Sequence, residues 1–197
     1  MKNKVILVDC DGVLLDWGYA FIQWMERHGY KLKSNKTYDI KESFGLEHDE
    51  GERLVRMFNE SAVMRKLPPL RDAVHYVRKL HEMHGFVFRA ITSMSTDTYA
   101  QHLRVKNLND LFGDTAFESF TFLDTGADKD EALEAYRDSE CFWVEDKIQN
   151  AELGADLGLR SLMMRHHYNE NHEYKGVRLV NNWAQIYDVI TSETTHW

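Results

Sequence analysis

Short apolar runs alternate with amphipathic segments along most of the chain. Five runs have the continuous apolar character of buried parallel strands, namely residues 5–9, 86–92, 119–123, 141–145 and 160–164. Apolar residues at helical spacing lie between and after these runs, in residues 70–81, 99–106, 128–136, 148–157 and 183–190. Strands that alternate with helices predict an α/β fold with a doubly wound, mainly parallel sheet.

The segment after the first run has a different pattern and ends at Pro68 and Pro69, the chain's only prolines. Residues 17–28 and 54–62 each carry an apolar stripe at helical spacing, whereas residues 30–51 are polar and are expected to be a loop. Neither proline can continue a helix, so the pair predicts a boundary. The pattern therefore indicates a helical insert between the first strand and the rest of the fold.

We expect this insert, residues 17–69, to be a small α-helical cap on a core of residues 1–16 and 70–197. Hydrophobic residues are 43% and charged residues 28%, which is ordinary globular usage. No apolar run approaches the roughly 18 residues of a membrane span, and the N-terminal residues do not resemble a secretory signal. Because Cys10 and Cys141 both lie in apolar runs, we expect a reduced, cytoplasmic protein.

The charge balance limits the class of partner. Lys and Arg total 24 against 32 Asp and Glu, which gives a formal net charge of −8. A nucleic-acid binder normally shows a basic surplus, so no nucleic-acid partner is expected. The same charge repels a small anionic substrate at long range, and such a substrate would therefore require a bound cation.

Chemically active side chains follow several of the predicted strands. In open α/β sheets, ligands bind at the carboxyl ends of the strands. The residues expected at that edge are two acid pairs, two hydroxyls and one amine: Asp9, Asp11, Thr92, Ser93, Lys129, Glu145 and Asp146.

Asp9 and Asp11 lie two residues apart at the end of the first strand, where Gly12 permits a sharp exit of the chain. Carboxylates so close together repel, and both ionise readily only with a cation between them. Mg²⁺ suits such a site because it prefers oxygen ligands and keeps several waters. A calcium loop would need a third acidic ligand before the glycine and a glutamate at its twelfth position, whereas Gly12 comes directly after Asp11 and is followed by Val13 and Leu14. A purely structural turn is the other alternative.

Each of the other groups also has a simpler interpretation. Acids such as Glu145 and Asp146 often cap a helix N-terminus, but beside Asp9 they can supply a further anionic ligand. Thr92 and Ser93 form either a capping turn or a site where hydroxyl and N–H groups hold phosphate oxygens. Lys129 lies in a first helical turn, which is unfavourable for a cation unless an anion is near. A solvated surface lysine is the alternative.

The ten histidines do not form a convincing zinc pattern. The nearest groupings are His81 with His84, and His166 and His167 with His172. Neither has a cysteine or carboxylate at an established ligand spacing, so we expect surface or loop residues. Asn150 follows Asp146 by about one helical turn and is placed either to orient it or at the surface.

The ordered set of strand-end residues resembles the four motifs of the haloacid dehalogenase (HAD) superfamily of phosphotransferases: Asp9-x-Asp11-Gly12-Val13-Leu14, Thr92-Ser93, Lys129 and Glu145-Asp146. The resemblance covers the whole predicted core. Three stretches are similar to the 5′(3′)-deoxyribonucleotidase branch in particular: Pro69-Leu70, Ile91-Thr92-Ser93 and Val144-Glu145-Asp146-Lys147.

The resemblance implies hydrolysis of a phosphate ester through an aspartyl-phosphate. Asp9 would attack phosphorus, and Asp11 would protonate the leaving alcohol and then deprotonate the hydrolytic water. Asp11 argues against a dehalogenase, since a halide leaving group needs no acid. The cofactor would be Mg²⁺. Its ligands would be the Asp9 and Asp146 side chains and the Asp11 backbone carbonyl, and Glu145 would either bind the ion directly or contact one of these ligands. The substrate-binding residues would be Thr92, Ser93, Lys129 and Gly12.

The insert corresponds to the small helical cap of the family, which excludes water and contacts the leaving group. The aromatic residues that could stack on a base or cover a sugar are Trp17, Tyr19, Phe21, Tyr38 and Phe44. Packing within the cap is the alternative for most of them, and we favour it for Phe21 and Trp24.

The function expected from these motifs is a Mg²⁺-dependent phosphomonoester hydrolase. Its substrate would be a small phosphorylated metabolite, such as a (deoxy)nucleoside monophosphate. The alternatives are a nucleic-acid 3′-phosphatase, a sugar phosphomutase, and a non-catalytic phosphate-binding regulatory protein.

Overall fold

A six-stranded sheet, parallel at every pairing, organises the molecule in a computed structural model that describes residues 4–34, 37 and 39–195. The strands are β1 (Val5–Val8), β2 (Val87–Ser93), β3 (Phe117–Leu123), β4 (Phe142–Glu145), β5 (Arg160–Met164) and β6 (Val177–Val180). Their spatial order is β3-β2-β1-β4-β5-β6. The predicted doubly wound parallel α/β fold is thereby confirmed.

Eight helices surround or extend the sheet in the described ranges. They are α1 (Trp17–Arg27), α2 (Ile40–Phe44), α3 (His48–Asn59), α4 (Ala73–His84), α5 (Thr98–Phe112), α6 (Asp130–Glu134), α7 (Ile148–Asp156) and α8 (Trp183–Thr195). A 3₁₀ turn, Ala62–Lys66, follows α3. None of these helices combines the length and the apolar character that crossing a bilayer requires.

The central position of β1 in the sheet explains why its sequence is continuously apolar. Ile6 and Val8 point into one core together with residues of α4, α5 and α8, whereas Val5 and Leu7 join a second core with residues of α6. Because helices cover both faces of the sheet, neither face of this strand can carry polar side chains. All four residues of β1 are buried.

The sixth strand was absent from the sequence prediction. It lies at the sheet edge beside β5, and Val180 is its only buried residue. A short edge strand that is mostly accessible to water lacks the apolar run by which the other strands were found. Its pattern therefore resembled a loop.

The cap region contains more helix than predicted. Residues 30–51 were expected to be a loop, but α2 lies within them and α3 begins at His48. The Asp39 carboxylate accepts a hydrogen bond from the Lys41 N–H (2.8 Å), and Gly45 ends the helix in the left-handed conformation at φ 65°. Local capping of this kind stabilises a helix too short to show apolar periodicity.

The two connections between the core and the helical insert run side by side. The Asp16 N–H donates to the Pro68 carbonyl and the Leu70 N–H donates to the Leu14 carbonyl, both at 2.8 Å. Leu15 and Pro69 form an antiparallel bridge between them. The predicted cap boundaries at residues 17 and 69 fall beside this paired segment and stay a prediction.

Candidate active site

Three acidic side chains converge where β1 and β4 end. Asp9 follows β1 directly, Glu145 is the last residue of β4, and Asp146 follows it. Ligand atoms from these three carboxylates lie within 4.8 Å of one another, and all three residues are buried. Within the described ranges this is the only cluster of at least three His, Cys, Asp or Glu residues with such geometry. None of the histidines considered above for a zinc site, at positions 81, 84, 166, 167 and 172, belongs to this cluster.

Lys129 lies between two of these carboxylates. Its Nζ is 2.9 Å from Asp9 Oδ1 and 2.8 Å from Glu145 Oε2, and its side chain is only 2% exposed. Burial lowers the pKa of Lys129, but the Asp9 and Glu145 carboxylates outweigh burial and leave that pKa above its ordinary value. The structure therefore places a fixed positive charge at the site, and the alternative of a solvated surface lysine is wrong.

Glu145 serves as the hydrogen-bond acceptor that organises this end of the sheet. Its carboxylate accepts from Lys129 Nζ and Asn150 Nδ2 (3.2 Å), and from the backbone N–H groups of Asp146 (2.9 Å) and Lys147 (3.1 Å). Burial raises the pKa of Glu145, but Lys129 and these hydrogen bonds leave it below its usual range. Asn150 thus orients Glu145 rather than Asp146, and it is buried rather than at the surface.

Asp9 and Asp146 carry the unbalanced charge of the cluster. Burial raises the pKa of Asp9 to about 7, with Glu145 and Asp11 adding to the effect and Lys129 opposing it. Burial, Glu145 and Asp9 raise the pKa of Asp146 well above its usual range. A bound cation would favour the ionised form of both carboxylates and so oppose the effect of burial. The all-oxygen donor set fits Mg²⁺.

Gly12 lies directly against Asp146. A Cβ atom at position 12 would lie 2.1 Å from Asp146 Oδ2, and the residue has φ +74°. Both facts require glycine, because an L side chain would collide with the carboxylate and strain the backbone. The sequence predicted Gly12 as a substrate-binding residue at a sharp turn. The structure shows a second reason for glycine, its close approach to Asp146. Val13 and Leu14, which follow, are fully buried and cannot serve as ligands of a calcium loop.

A loop after β5 supports the same region and was missed in the sequence. The Tyr168 hydroxyl donates to Asp146 Oδ2, and Asn169 Nδ2 donates to the carbonyls of Asp146 (2.8 Å) and Met164 (2.9 Å). His166 Nε2 donates to the Gly12 carbonyl at 2.7 Å. Burial lowers the pKa of His166, against the opposing effect of the Gly12 carbonyl. This loop follows a strand end, so the rule that selected the other residues could have found it.

The two hydroxyl residues of β2 have different environments. Thr92 is 1% exposed, and its Oγ1 has no hydrogen-bond partner within the described part of the chain. A buried hydroxyl left unpaired costs about 1–3 kcal/mol, which points to a ligand as its partner. Ser93 Oγ donates to the Ala127 carbonyl at 2.7 Å. Its hydroxyl therefore fastens the loop that leads to Lys129.

Asp11 is paired with an arginine that sequence reasoning did not select. Arg104 Nη1 donates to Asp11 Oδ1 at 2.7 Å, and Nη2 donates to Oδ2 at 3.3 Å. Arg104 lies on α5 and is fully buried, whereas the Asp11 side chain is 21% exposed. No local motif announces a contact between residues 93 positions apart. The pairing exists only in the folded chain.

The aromatic residues of the cap separate into two groups. Phe21, Trp24 and Phe44 are buried together with Phe58, so they pack within the cap, as expected for the first two. Tyr19 is 58% exposed, and Tyr38 lies outside the described residues. Phe44 was also a candidate for substrate contact, and its packing against Phe21 favours the alternative, packing within the cap.

Trp17 connects the cap to the edge of the site. Its indole N–H donates to Asn59 Oδ1 at 2.9 Å. Asn59 Nδ2 in turn donates to the Met94 carbonyl at 2.9 Å, one residue beyond Ser93. Trp17 is therefore the candidate aromatic residue that is hydrogen-bonded, through Asn59, to the loop after β2.

Comparison with solved structures shows the class of fold. A haloacid dehalogenase-like hydrolase from Streptococcus pneumoniae has a TM-score of 0.65 and 15% identity over 94% of this chain and 97% of its own. CbbY from Rhodobacter sphaeroides, in complex with phosphate, has a TM-score of 0.59 and 17% identity over 93% and 96%. An L-2-haloacid dehalogenase has a TM-score of 0.57 and 12% identity over 94% and 98%. The chain thus has the HAD-like fold that its motifs predicted.

Sequence comparison adds less. No family model matches the chain. An uncharacterized 32.4 kDa protein of Enterobacteria phage T4 is 29% identical over 117 residues, which is 56% of this chain and 41% of that protein. The chain therefore spans less than half of that relative. The narrower resemblance to the 5′(3′)-deoxyribonucleotidase branch stays a prediction.

Proposed function

We propose that this protein is a Mg²⁺-dependent phosphomonoester hydrolase that acts through an aspartyl-phosphate on a small phosphorylated metabolite. A (deoxy)nucleoside monophosphate is the preferred substrate class. The observation that carries the proposal is the buried cluster of Asp9, Glu145 and Asp146, with Lys129 between two of its members. A hydrolase with the fold of its structural neighbours would need this combination of acids and one fixed cation.

The magnesium ligands in this proposal are a carboxylate oxygen of Asp9, the backbone carbonyl of Asp11 and a carboxylate oxygen of Asp146. Four donors already engage Glu145, so its role is to hold Lys129 and the turn that carries Asp146. When bound, Mg²⁺ would neutralise the negative charge of the phosphate and of the two buried aspartates.

Asp9 is the nucleophile in this proposal. One of its carboxylate oxygens forms a bond to phosphorus while the bond between phosphorus and the leaving oxygen breaks. Asp11 donates a proton to that leaving oxygen and then takes a proton from the water that hydrolyses the aspartyl-phosphate. Cys10, between them, is not a competing nucleophile, because burial raises the pKa of its thiol to about 12.

Thr92 and Lys129 are the side chains that would hold the phosphate oxygens. The Thr92 hydroxyl is buried and unpaired within the described residues, and the Lys129 ammonium is charged and rigidly placed. Groups fixed before the substrate arrives need no rearrangement as charge develops on phosphorus, which is how positioning lowers the barrier. Ser93 would contribute by fixing the loop before Lys129, and Gly12 by its close approach to Asp146.

The test is phosphate release from nucleoside 5′- and 3′-monophosphates, sugar phosphates and 4-nitrophenyl phosphate, with Mg²⁺ and with EDTA. We expect release that needs Mg²⁺ and falls to background in Asp9→Asn. The exposed Asp114 provides the matched control, since Asp114→Asn makes the same chemical change away from the site. Full activity of Asp9→Asn would contradict the assignment of the nucleophile.

Other outcomes would identify a different function. Conversion of a sugar phosphate without net release of phosphate would indicate a phosphomutase. Thermal stabilisation by Mg²⁺ and phosphate, without turnover of any ester, would indicate a non-catalytic phosphate-binding protein. Salt-sensitive binding to DNA ends would favour a nucleic-acid 3′-phosphatase, which the net charge of −8 disfavours.

A further inference from the structure

The pairing of Arg104 with Asp11 combines a two-bond geometry with a fully buried arginine. Two nearly parallel hydrogen bonds join the guanidinium to both oxygens of the carboxylate, at 2.7 and 3.3 Å. A planar fork on a planar carboxylate fixes the rotation of the carboxylate as well as its position. The Asp11 side chain, 21% exposed, is thus held in one orientation by a fully buried arginine.

Arg104 takes its own position from the end of the cap region. Nη2 also contacts Met64 Sδ at 3.1 Å, and Met64 is fully buried in the 3₁₀ turn after α3. Asn107, about one turn further along α5, donates from Nδ2 to the Leu67 carbonyl at 3.2 Å. This face of α5 therefore packs against the segment 62–67, through which the chain leaves the cap region.

We propose that Arg104 is a positioning residue, which aims the Asp11 carboxyl group at the leaving-group oxygen of the substrate. The inference rests on the proposed function, in which Asp11 exchanges a proton with that oxygen. A displacement of about 1 Å in such a group can cost about 10²-fold in rate. Because the Nη2 atom that donates to Asp11 also contacts Met64 Sδ, the orientation of Asp11 depends on how the segment 62–67 packs on α5.

Arg104→Lys is the variant that tests this role. Lysine keeps the positive charge but cannot make the two parallel bonds. The variant is assayed with the alkyl phosphate that the unsubstituted protein hydrolyses fastest, and with 4-nitrophenyl phosphate, whose leaving group needs little protonation. We compare kcat/KM, because it reports the formation of the aspartyl-phosphate and not its later hydrolysis, a step that both esters share and that also uses Asp11. We expect kcat/KM for the alkyl ester to fall about 100-fold and kcat/KM for the aryl ester to change less than about threefold.

The matched control is Arg137→Lys, which makes the same change in the exposed pair with Glu134 and alters neither rate. Arg104→Gln removes the buried charge and repeats the comparison in case lysine prevents folding, as monitored by thermal unfolding. The background variant Asp11→Asn completes the design. If Arg104 acts through Asp11, adding Arg104→Lys to Asp11→Asn causes no further loss on the alkyl ester.

Distinct results overturn distinct statements. Equal losses in kcat/KM on both esters, or a further 100-fold loss in the Asp11→Asn background, would show that Arg104 does not act by aiming Asp11. Unchanged rates in Arg104→Lys would show the same. If the unsubstituted protein hydrolyses no ester, the proposed function itself fails, and the role of Arg104 falls with it.

Discussion

Asp9 and Asp146 share a buried space in which two negative charges are unfavourable. Desolvation raises the pKa of both groups, and Lys129 offsets only part of this effect at Asp9. The pKa of Asp9, about 7, lies above the 3.8 of an unperturbed aspartate. A group with a raised pKa binds its proton more tightly in the folded protein, and a metal ion must compete with that proton.

The first prediction follows from the sign of this shift. In the metal-free protein, the stability contributed by the protonated Asp9 is fully present below pH 3.8 and is lost as the pH rises through about 7. In the proposed function Mg²⁺ would bind the ionised carboxylates, so its stabilising effect is expected to grow over the same interval. Thermal unfolding at pH 5 to 8, with and without Mg²⁺, measures both trends. In Asp9→Asn the part of this pH dependence that comes from Asp9 should disappear, whereas the part that comes from Asp146 should remain.

The second prediction concerns Gly12. Gly12→Ala places a methyl group 2.1 Å from Asp146 Oδ2 at φ +74°, so either the turn or the carboxylate must shift. We expect a loss of about 1–3 kcal/mol in unfolding free energy and weaker Mg²⁺ binding. Urea unfolding and titration calorimetry measure these effects. Gly18→Ala, where no atom lies within 4 Å of the added methyl group, is the control.

At the scale of elements, a loop and a helix outside the strands orient the acidic side chains of the site. The loop after β5 holds Asp146 and the Gly12 carbonyl, and the face of α5 that carries Arg104 holds Asp11. The strands place the acidic residues at one edge of the sheet, but hydrogen bonds from the loop after β5 and from α5 orient the carboxylates. Hydrogen bonds to a metal-binding carboxylate commonly matter for affinity as well as geometry.

The third prediction tests the loop after β5. Tyr168→Phe removes the hydroxyl that donates to Asp146 Oδ2 while leaving the ring that stacks on His166. We expect Mg²⁺ affinity to fall about 10-fold, with little change in thermal stability. Calorimetric titration of the metal alone measures the affinity without any substrate. An unchanged affinity would show that Tyr168 does not influence the carboxylate as a ligand.

The fourth prediction concerns the contact between α3 and the loop after β2. Asn59→Ala removes the acceptor of the Trp17 indole N–H and one of the donors to the Met94 carbonyl, which Thr125 Oγ1 also reaches. A fully buried donor left unpaired costs about 1–3 kcal/mol, and we expect a loss at the lower end of that range for the partly buried Trp17 N–H, measured by urea unfolding. Since Trp17→Phe removes that donor, the double variant should lose less than the sum of the two single changes. Strict additivity would contradict the link.

For the whole molecule, the net charge and the site have to be reconciled. A charge of −8 opposes the approach of a phosphate ester. Close to the site this repulsion would be overcome, because Lys129 and a bound Mg²⁺ would make the electrostatic potential at the strand ends positive. The doubly wound sheet makes this possible by bringing residues from β1, β2 and β4 to one edge.

Alternation of apolar runs and amphipathic segments was sufficient to predict the doubly wound sheet and five of its six strands. The missing strand, β6, and the short helix α2 were not predicted for the same reason. Each offers too few buried apolar residues to show a period: β6 buries only Val180, and α2 is five residues long with Ile40 and Phe44 as its apolar contacts. The ends of the longer helices also differ from the predicted ones, as at α5, which ends at Phe112 rather than at residue 106, because helix ends are set by local caps.

The sequence by itself determined which chemical groups stand at the strand ends, because a strand end is a local feature and parallel strands share one edge. Asp9, Thr92, Lys129, Glu145 and Asp146 could all be selected in this way. Only the tertiary structure decided that Lys129 is buried between Asp9 and Glu145, and that Arg104 forms a hydrogen-bonded ion pair with Asp11. Those contacts join residues far apart in the chain, and their energies depend on burial, which no local pattern of residues contains.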